Sequence, residues 1–338
     1  MALLYYLILD TASLAMDPAE WERAERLAHI FLPYAMQRKN HMQENRLKFA
    51  HYTSAENALR ILREKRVMMR NTVCMNDYRE FEHGLSYLVE FFRDEASRSN
   101  FVNSLNACCA GVAEEAIRLF DMWLPHNRFN VYVSCFSEHK PEEDRFGRLS
   151  MWRAYRTGTI GVAFVFHNEP FWQRSTVLKL VNSPVAYVDA DQFKAKLTNV
   201  LRNVLQEEEF LKSIPRPQLI GTVFNMLMYA AACAKHPGFA EEEEWRLVYL
   251  PKLGESDALE KGVDVINGVP QTVYRIPLKD RPQDELIGIE IPSLLERVII
   301  GPSNFAWPLY EAFVTVLKEA GVQNAEQKVI SSDIPLRS

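Results

Sequence analysis

Glycine is scarce in this chain, with 13 in 338 residues, about 4 % against roughly 7 % in ordinary proteins. Phosphate-cradling loops need glycine so that the backbone can approach the ligand, and neither G-x-G-x-x-G nor G-x-x-x-x-G-K-[ST] occurs. A Rossmann-type site for a hydride-carrying cofactor is thereby excluded. Cys74, Cys108, Cys109, Cys135 and Cys233 show no C-x-x-C spacing and are odd in number. That fits reduced thiols of a cytoplasmic protein better than bridges or a zinc knuckle. No H-E-x-x-H is present and the eight histidines are scattered, so no metal is expected from ligand spacing. Charge is nearly balanced, at a net −5, which excludes a general electrostatic grip on nucleic acid. Long apolar runs are missing as well. MALLYYLILD is broken by Asp10 and reads as a core strand or helix turn, and the run 219–234 is short of the ~20 residues that span a membrane. No membrane partner is expected.

What is there reads as a folded chain with one large core. Asp17, Pro18 and Glu20 form an N-cap, a first-position proline and a capping-box acid, followed by Trp21, Ala24, Leu27, Ala28 and Phe31 at helical spacing until Pro33. Leu85, Leu88, Val89 and Phe92 line a second helix. Val112, Ala116, Leu119, Phe120 and Trp123 line a third, which Pro125 is expected to stop, and Phe193 to Leu205 line a fourth. The apolar run 219–234 reads as a buried helix. Short β-branched or aromatic segments at 49–52, 67–69, 131–136, 160–166, 185–188, 245–249, 272–276 and 297–300 read as strands. Strands clustered between helical stretches predict an α+β fold with a mixed, mostly antiparallel sheet. The expected organisation is a helical extension over 1–46 and one α+β domain over 47–338, with helical insertions near 78–125 and 191–236.

Four polar stretches exceed what a core requires. His51-Tyr52-Thr53-Ser54 ends a strand just before a helix, where Thr53 or Ser54 is a natural N-cap. Asn76 and Asp77 precede another helix and could cap it or hold a ligand. Ser134-Cys135-Phe136-Ser137 is followed by Met151-Trp152 and Tyr155, aromatics three apart on one helical face. The run Glu241 to Glu244 enters the strand Trp245-Arg246-Leu247. Side chains alternate along a strand, so Glu242, Glu244 and Arg246 are expected on one face, looking into a cleft, with Trp245 and Leu247 toward the core.

In this order the segments resemble domain-of-unknown-function family 2971, a bacterial family whose name carries no activity. The resemblance runs from Phe49 to Tyr249 and includes Pro184 to Tyr187 and Glu242 to Leu247. A weaker resemblance is to the His-Tyr-Glu pattern of ADP-ribosyltransferases, in which NAD lies in a cleft between two small sheets. It implies an ADP-ribosyltransferase-like split sheet with NAD as a substrate to be broken and no metal. Carried over, His51 holds the ribose, Tyr155 or Tyr52 stacks on nicotinamide, Glu244 is catalytic and Glu242 orients ribose or acceptor. Thr53, Asn76, Asp77, Trp152 and Arg246 complete the expected cofactor site. A fixed carboxylate there would stabilise the cation that develops as the glycosidic bond breaks. The resemblance requires His51 and Glu244 to face each other across one cleft.

The expected function is thus an NAD-dependent ADP-ribosyltransferase or NAD glycohydrolase of the toxin or antiphage-defence kind. The acceptor (protein, nucleic acid or water) and the oligomeric state stay open. The alternative is a non-enzymatic module that senses a nucleotide or peptide in its cleft. A metal-dependent hydrolase built on Glu242, Glu244, Asp77 and His51 is the weakest reading, because none of these pairs has ligand-like spacing.

Overall fold

The structure is a computed structural model and describes residues 18–75, 80–154, 160–266 and 268–335. Twelve strands follow in chain order: β1 Lys48–Ser54, β2 Arg66–Asn71, β3 Tyr132–His139, β4 Gly161–Phe166, β5 Leu180–Pro184, β6 Ala186–Tyr187, β7 Ala234–Lys235, β8 Glu244–Tyr249, β9 Glu260–Ile266, β10 Val269–Pro277, β11 Leu295–Ile300 and β12 Val329–Ser331. Ten of them form one sheet, in the order β12-β11-β4-β1-β3-β2-β10-β9, with β8 on β3 and β5 on β8. Only the β11–β12 pair of this sheet is parallel. The fold is α+β with a mixed, mostly antiparallel sheet.

The sheet branches at β3. Strand β8 occupies one edge of β3 from Tyr132 to Ser137. The opposite edge is shared: β1 takes Ser137 to His139 and β2 takes Tyr132 and Val133. Strand β1 leaves β3 beyond Ala50 and continues against β4 alone. This is the split of the sheet.

Directly paired residues share a face, so the register sorts the side chains. Ala50, Ser137 and Glu244 form one cross-strand row, and Cys135 pairs with Arg246. Val133, Val248 and Val181 lie on the same face, under a layer that contains the helices Glu80–Arg93, Val112–Asn127, Ala190–Gln206 and Arg216–Ala232. The other face carries Phe49, Phe136, Phe164 and Trp245, packed with Phe313 and Leu317 of the helix Ala306–Glu319. Both faces are therefore covered.

Local chemistry explains most boundaries. Ser54 accepts from the Asn57 amide and caps the helix Ala55–Glu64. Pro33 does not kink the first helix; it opens a second, Pro33–Glu44, as its first residue, where the missing N–H costs nothing. Pro125 does not stop its helix, which runs on to Asn127, because a proline in the last turn removes only one hydrogen bond. Gly84 lets the helix Glu80–Arg93 approach its neighbour closely: a Cβ there would sit 2.3 Å from the Ala231 carbonyl oxygen. The N-terminal strand reading, the Asp17 cap, Asn76, Asp77 and Tyr155 all lie outside the described residues.

Candidate functional site

The head of β8 gathers the acidic run, though not as simple alternation predicts. Residues Pro237–Glu242 form a 3-10 helix, and Glu243 turns into the strand with a left-handed φ of 43°. Glu242 therefore precedes the strand and does not alternate with Glu244. Arg246, 1 % exposed, donates from Nε to Glu244 Oε1 at 2.7 Å and from Nη2 to Oε2 at 3.2 Å. Its Nη1 donates to the Ala232 carbonyl at 2.7 Å. Lys235 Nζ lies 2.6 Å from Glu242 and 3.4 Å from Glu244, and the Glu244 amide donates to the Tyr187 hydroxyl. Burial pushes the Glu244 carboxyl up, but Arg246 and Lys235 outweigh it and bring it down to about 2. The carboxylate is ionised at neutral pH, 7 % exposed and bound by Arg246 and Lys235.

A second knot lies beside it. Arg148 Nε donates to Glu143 at 2.6 Å, and its Nη2 reaches Glu243 at 2.7 Å. The same guanidinium donates to the carbonyls of Glu138, Glu241 and Glu242. Glu138, almost fully buried, accepts from Trp245 Nε1 at 2.8 Å and pairs with Arg38 of the helix Pro33–Glu44. The four glutamates thus divide: Glu242, Glu243 and Glu244 are each bound to a cation.

The expected ribose-holding histidine stands elsewhere. His51 adjoins Ala50 on β1 and so points to the opposite face from Glu244, where its ring lies 5.2 Å from that of Phe136. Its Nδ1 is 2.9 Å from the Cys135 carbonyl. A carbonyl only accepts, so Nδ1 carries the proton. Burial lowers the pKa of His51 and keeps the ring neutral. The imidazole reaches from β1 to the β3 backbone where the sheet splits, and among the described residues it does not share the face of Glu244.

The other expected cofactor residues have structural partners. Tyr52 is buried, with its hydroxyl accepting from the Arg148 amide at 2.9 Å. Thr53 Oγ1 accepts from Asn57 Nδ2. Trp152 donates to the Phe146 carbonyl at 2.7 Å and packs edge-on against Tyr52. Gly147 and Gly301 give its ring room, since a Cβ at either would lie within 3 Å of it. Of the predicted set, the structure brings Glu242, Glu244 and Arg246 together and leaves His51, Thr53 and Trp152 in separate packing roles. Among the described residues no group of three or more acidic, histidine or cysteine side chains could hold a metal ion.

Sequence reasoning missed a different region. Strand β5 pairs only with β8, and its outer side meets the two N-terminal helices across a cavity of about 220 Å³. Trp21, Trp172, Trp245 and Phe171 line it, with Asn182, Lys39, Arg174 and Glu25 among the polar residues. Trp172 Nε1 and Asn182 Nδ2 are buried donors without a hydrogen-bond partner. Burial lowers the pKa of Lys39, against the pull of Glu25; the two are 3.8 Å apart. Nothing in the linear order could have found this wall, because its residues come from 21–39, 171–183, 229 and 245.

The fold and these two polar regions define an α+β protein with a branched sheet whose acidic motif is built into its frame. Residues 151–247, from Trp152's helix to β8, match the family model of the protein of unknown function DUF2971. No curated protein and no solved structure matches the chain. Among the described residues no helix is long and apolar enough to cross a membrane.

Proposed function

We propose that this protein is a ligand-sensing module that binds a small molecule in the cavity beside β5. One observation carries this reading: Trp172 and Asn182 line the same cavity, and the Nε1 of one and the Nδ2 of the other are buried without a partner. A buried donor left unsatisfied costs about 1–3 kcal/mol, and ligand sites are typically apolar cavities with a few placed polar groups. The N-terminal helices close the cavity and are tied to the sheet by the Arg38–Glu138 pair and by Tyr34, which donates to the Val185 carbonyl. Occupancy would thus be felt by the helix pair. Thermal shift of the full chain against nucleotides, with nicotinamide release followed in parallel, tests the reading. Stabilisation by a compound that is not consumed is the expected result. No stabilisation by any compound, or turnover of the one that binds, overturns it.

A second reading keeps NAD as substrate. It is favoured by the ionised Glu244 at the head of β8, in one row with β3 and β1 where the sheet branches. On that reading the carboxylate would face the oxocarbenium-like charge, without His51. It expects nicotinamide release that disappears in Glu244→Gln; an assay with no release in the unaltered chain eliminates it.

A further inference from the structure

The aromatic wall, the two residues that bear orphaned donors and an excess of positive charge meet at the one cavity. Trp172 and Trp245 stand edge-to-face with centroids 5.3 Å apart, and Trp21 faces the guanidinium of Arg174 at 5.6 Å. Arg174 has no ion-pair partner among the described residues. Glu25, the acid among the lining residues, lies 3.8 Å from Lys39, whose side chain is only 15 % exposed. The half-buried Lys39 and the exposed Arg174, set against one largely exposed acid, leave one more positive than negative charge on the wall. Flat rings pack well on such indole faces, a desolvated cation favours an anion more strongly than an exposed one, and the donors of Trp172 and Asn182 require acceptor atoms.

From this juxtaposition we infer that the cavity takes a planar aromatic anion. Its ring lies among the tryptophans, its ring or carbonyl acceptors face Trp172 and Asn182, and its carboxylate or phosphate meets Lys39 and Arg174. The inference rests on the ligand-sensing reading and sharpens it by excluding neutral rings and peptides as the principal ligand class. A peptide adding a strand to β5 would need no aromatic wall, and a neutral ring would leave Lys39 unmatched. Two sources offer the required chemistry, a mononucleotide and an aromatic carboxylate.

The test uses tryptophan fluorescence titration and thermal shift of the full chain with five probes: adenosine 5′-monophosphate, adenosine, indole-3-carboxylate, indole and inorganic phosphate. At least one aromatic anion should bind tenfold or more tightly than its neutral counterpart, and phosphate alone should give no shift. Which of the two anions binds identifies the source. Lys39→Met should weaken the anion about tenfold and leave the neutral ring unchanged. Asn182→Leu should remove binding of both while circular dichroism stays that of the parent. Neutral rings binding as tightly as the anions would overturn this inference and leave the ligand-sensing reading standing. A response to phosphate alone equal to that of the anions would also overturn it. Silence of all five probes would remove both.

Discussion

Two polar regions lie on either side of β8, and they differ in one respect. At the head of the strand the buried and half-buried charges are answered: Arg246 with Glu244, Lys235 with Glu242, Arg148 with Glu143 and Glu243, Arg38 with Glu138. Beside β5, Trp172 and Asn182 bury donors that have none. A saturated network specifies a fold and has little left with which to hold a ligand, whereas an unsatisfied one stores free energy that a ligand can release. Glu242, Glu243 and Glu244 hold the frame together through their cations, whereas the wall beside β5 carries no motif in the sequence.

Breaking the saturated region should have the largest effect. Arg148→Ala takes the guanidinium from Glu143, leaves Glu243 with Lys140 alone and orphans three backbone carbonyls; it should cost about 3 kcal/mol, read as the shift in a urea unfolding midpoint. A loss under about 1 kcal/mol would mean that the knot is not a structural element.

Acid should attack the same region. Glu244 has its pKa lowered to about 2 in the fold, against about 4.3 when unfolded. Its contribution is therefore complete above about pH 5 and lost as pH falls toward 2, at most on the order of 3 kcal/mol. His51 and His139 act in the same direction, because burial lowers both and keeps them neutral. The unfolded chain protonates these imidazoles near pH 6.5, so stability should start to fall there on acidification. A melting temperature unchanged between pH 7 and 5 would contradict the histidine effect, and one unchanged between pH 5 and 2 the Glu244 effect. Changing Glu244 to Gln should flatten the lower part of the profile.

The saturated region can also be loosened from above. Gly84→Ala places a methyl against the Ala231 carbonyl, next to Ala232, whose carbonyl accepts from Arg246. Overpacking of this kind costs about 1–3 kcal/mol. An unchanged melting temperature would show that the two helices slide apart freely.

The smallest effect should have the opposite sign. Asn182→Leu removes an orphaned donor, so the free protein should gain about 1 kcal/mol even as it loses ligand. Destabilisation of the free protein would show that Asn182 is satisfied after all and would erase the contrast between the two regions.

Much of the frame was legible. The strands read at 49–52, 67–69 and 245–249 fall within β1, β2 and β8, that at 160–166 overlaps β4 to within one residue, and the buried helix read at 219–234 overlaps Arg216–Ala232 but runs on into β7. These segments announce themselves by period and by β-branched content. Strand β5, the two-residue β7 and the helix Glu95–Cys108 went unread: the strands are too short to show a period, and that helix buries Ser97 and Ser104 on the same side as Phe101. The failure at His51 had another cause. Local alternation placed it correctly on a strand, but which face it shares with a strand 190 residues later depends on a pairing register that no local pattern contains.

The scarcity of glycine is a property of the sequence alone, and with it neither glycine-rich phosphate-loop motif is present, because the backbone approach such loops need depends on those residues. The clustering of strands between helical stretches likewise announced the α+β class, since periodicity is a local consequence of which faces must be buried. What the acidic run is for was decided only in three dimensions. Whether a carboxylate is free to act depends on where cations distant in the chain come to rest, and here Lys235, Arg148 and Arg246 came to rest against it.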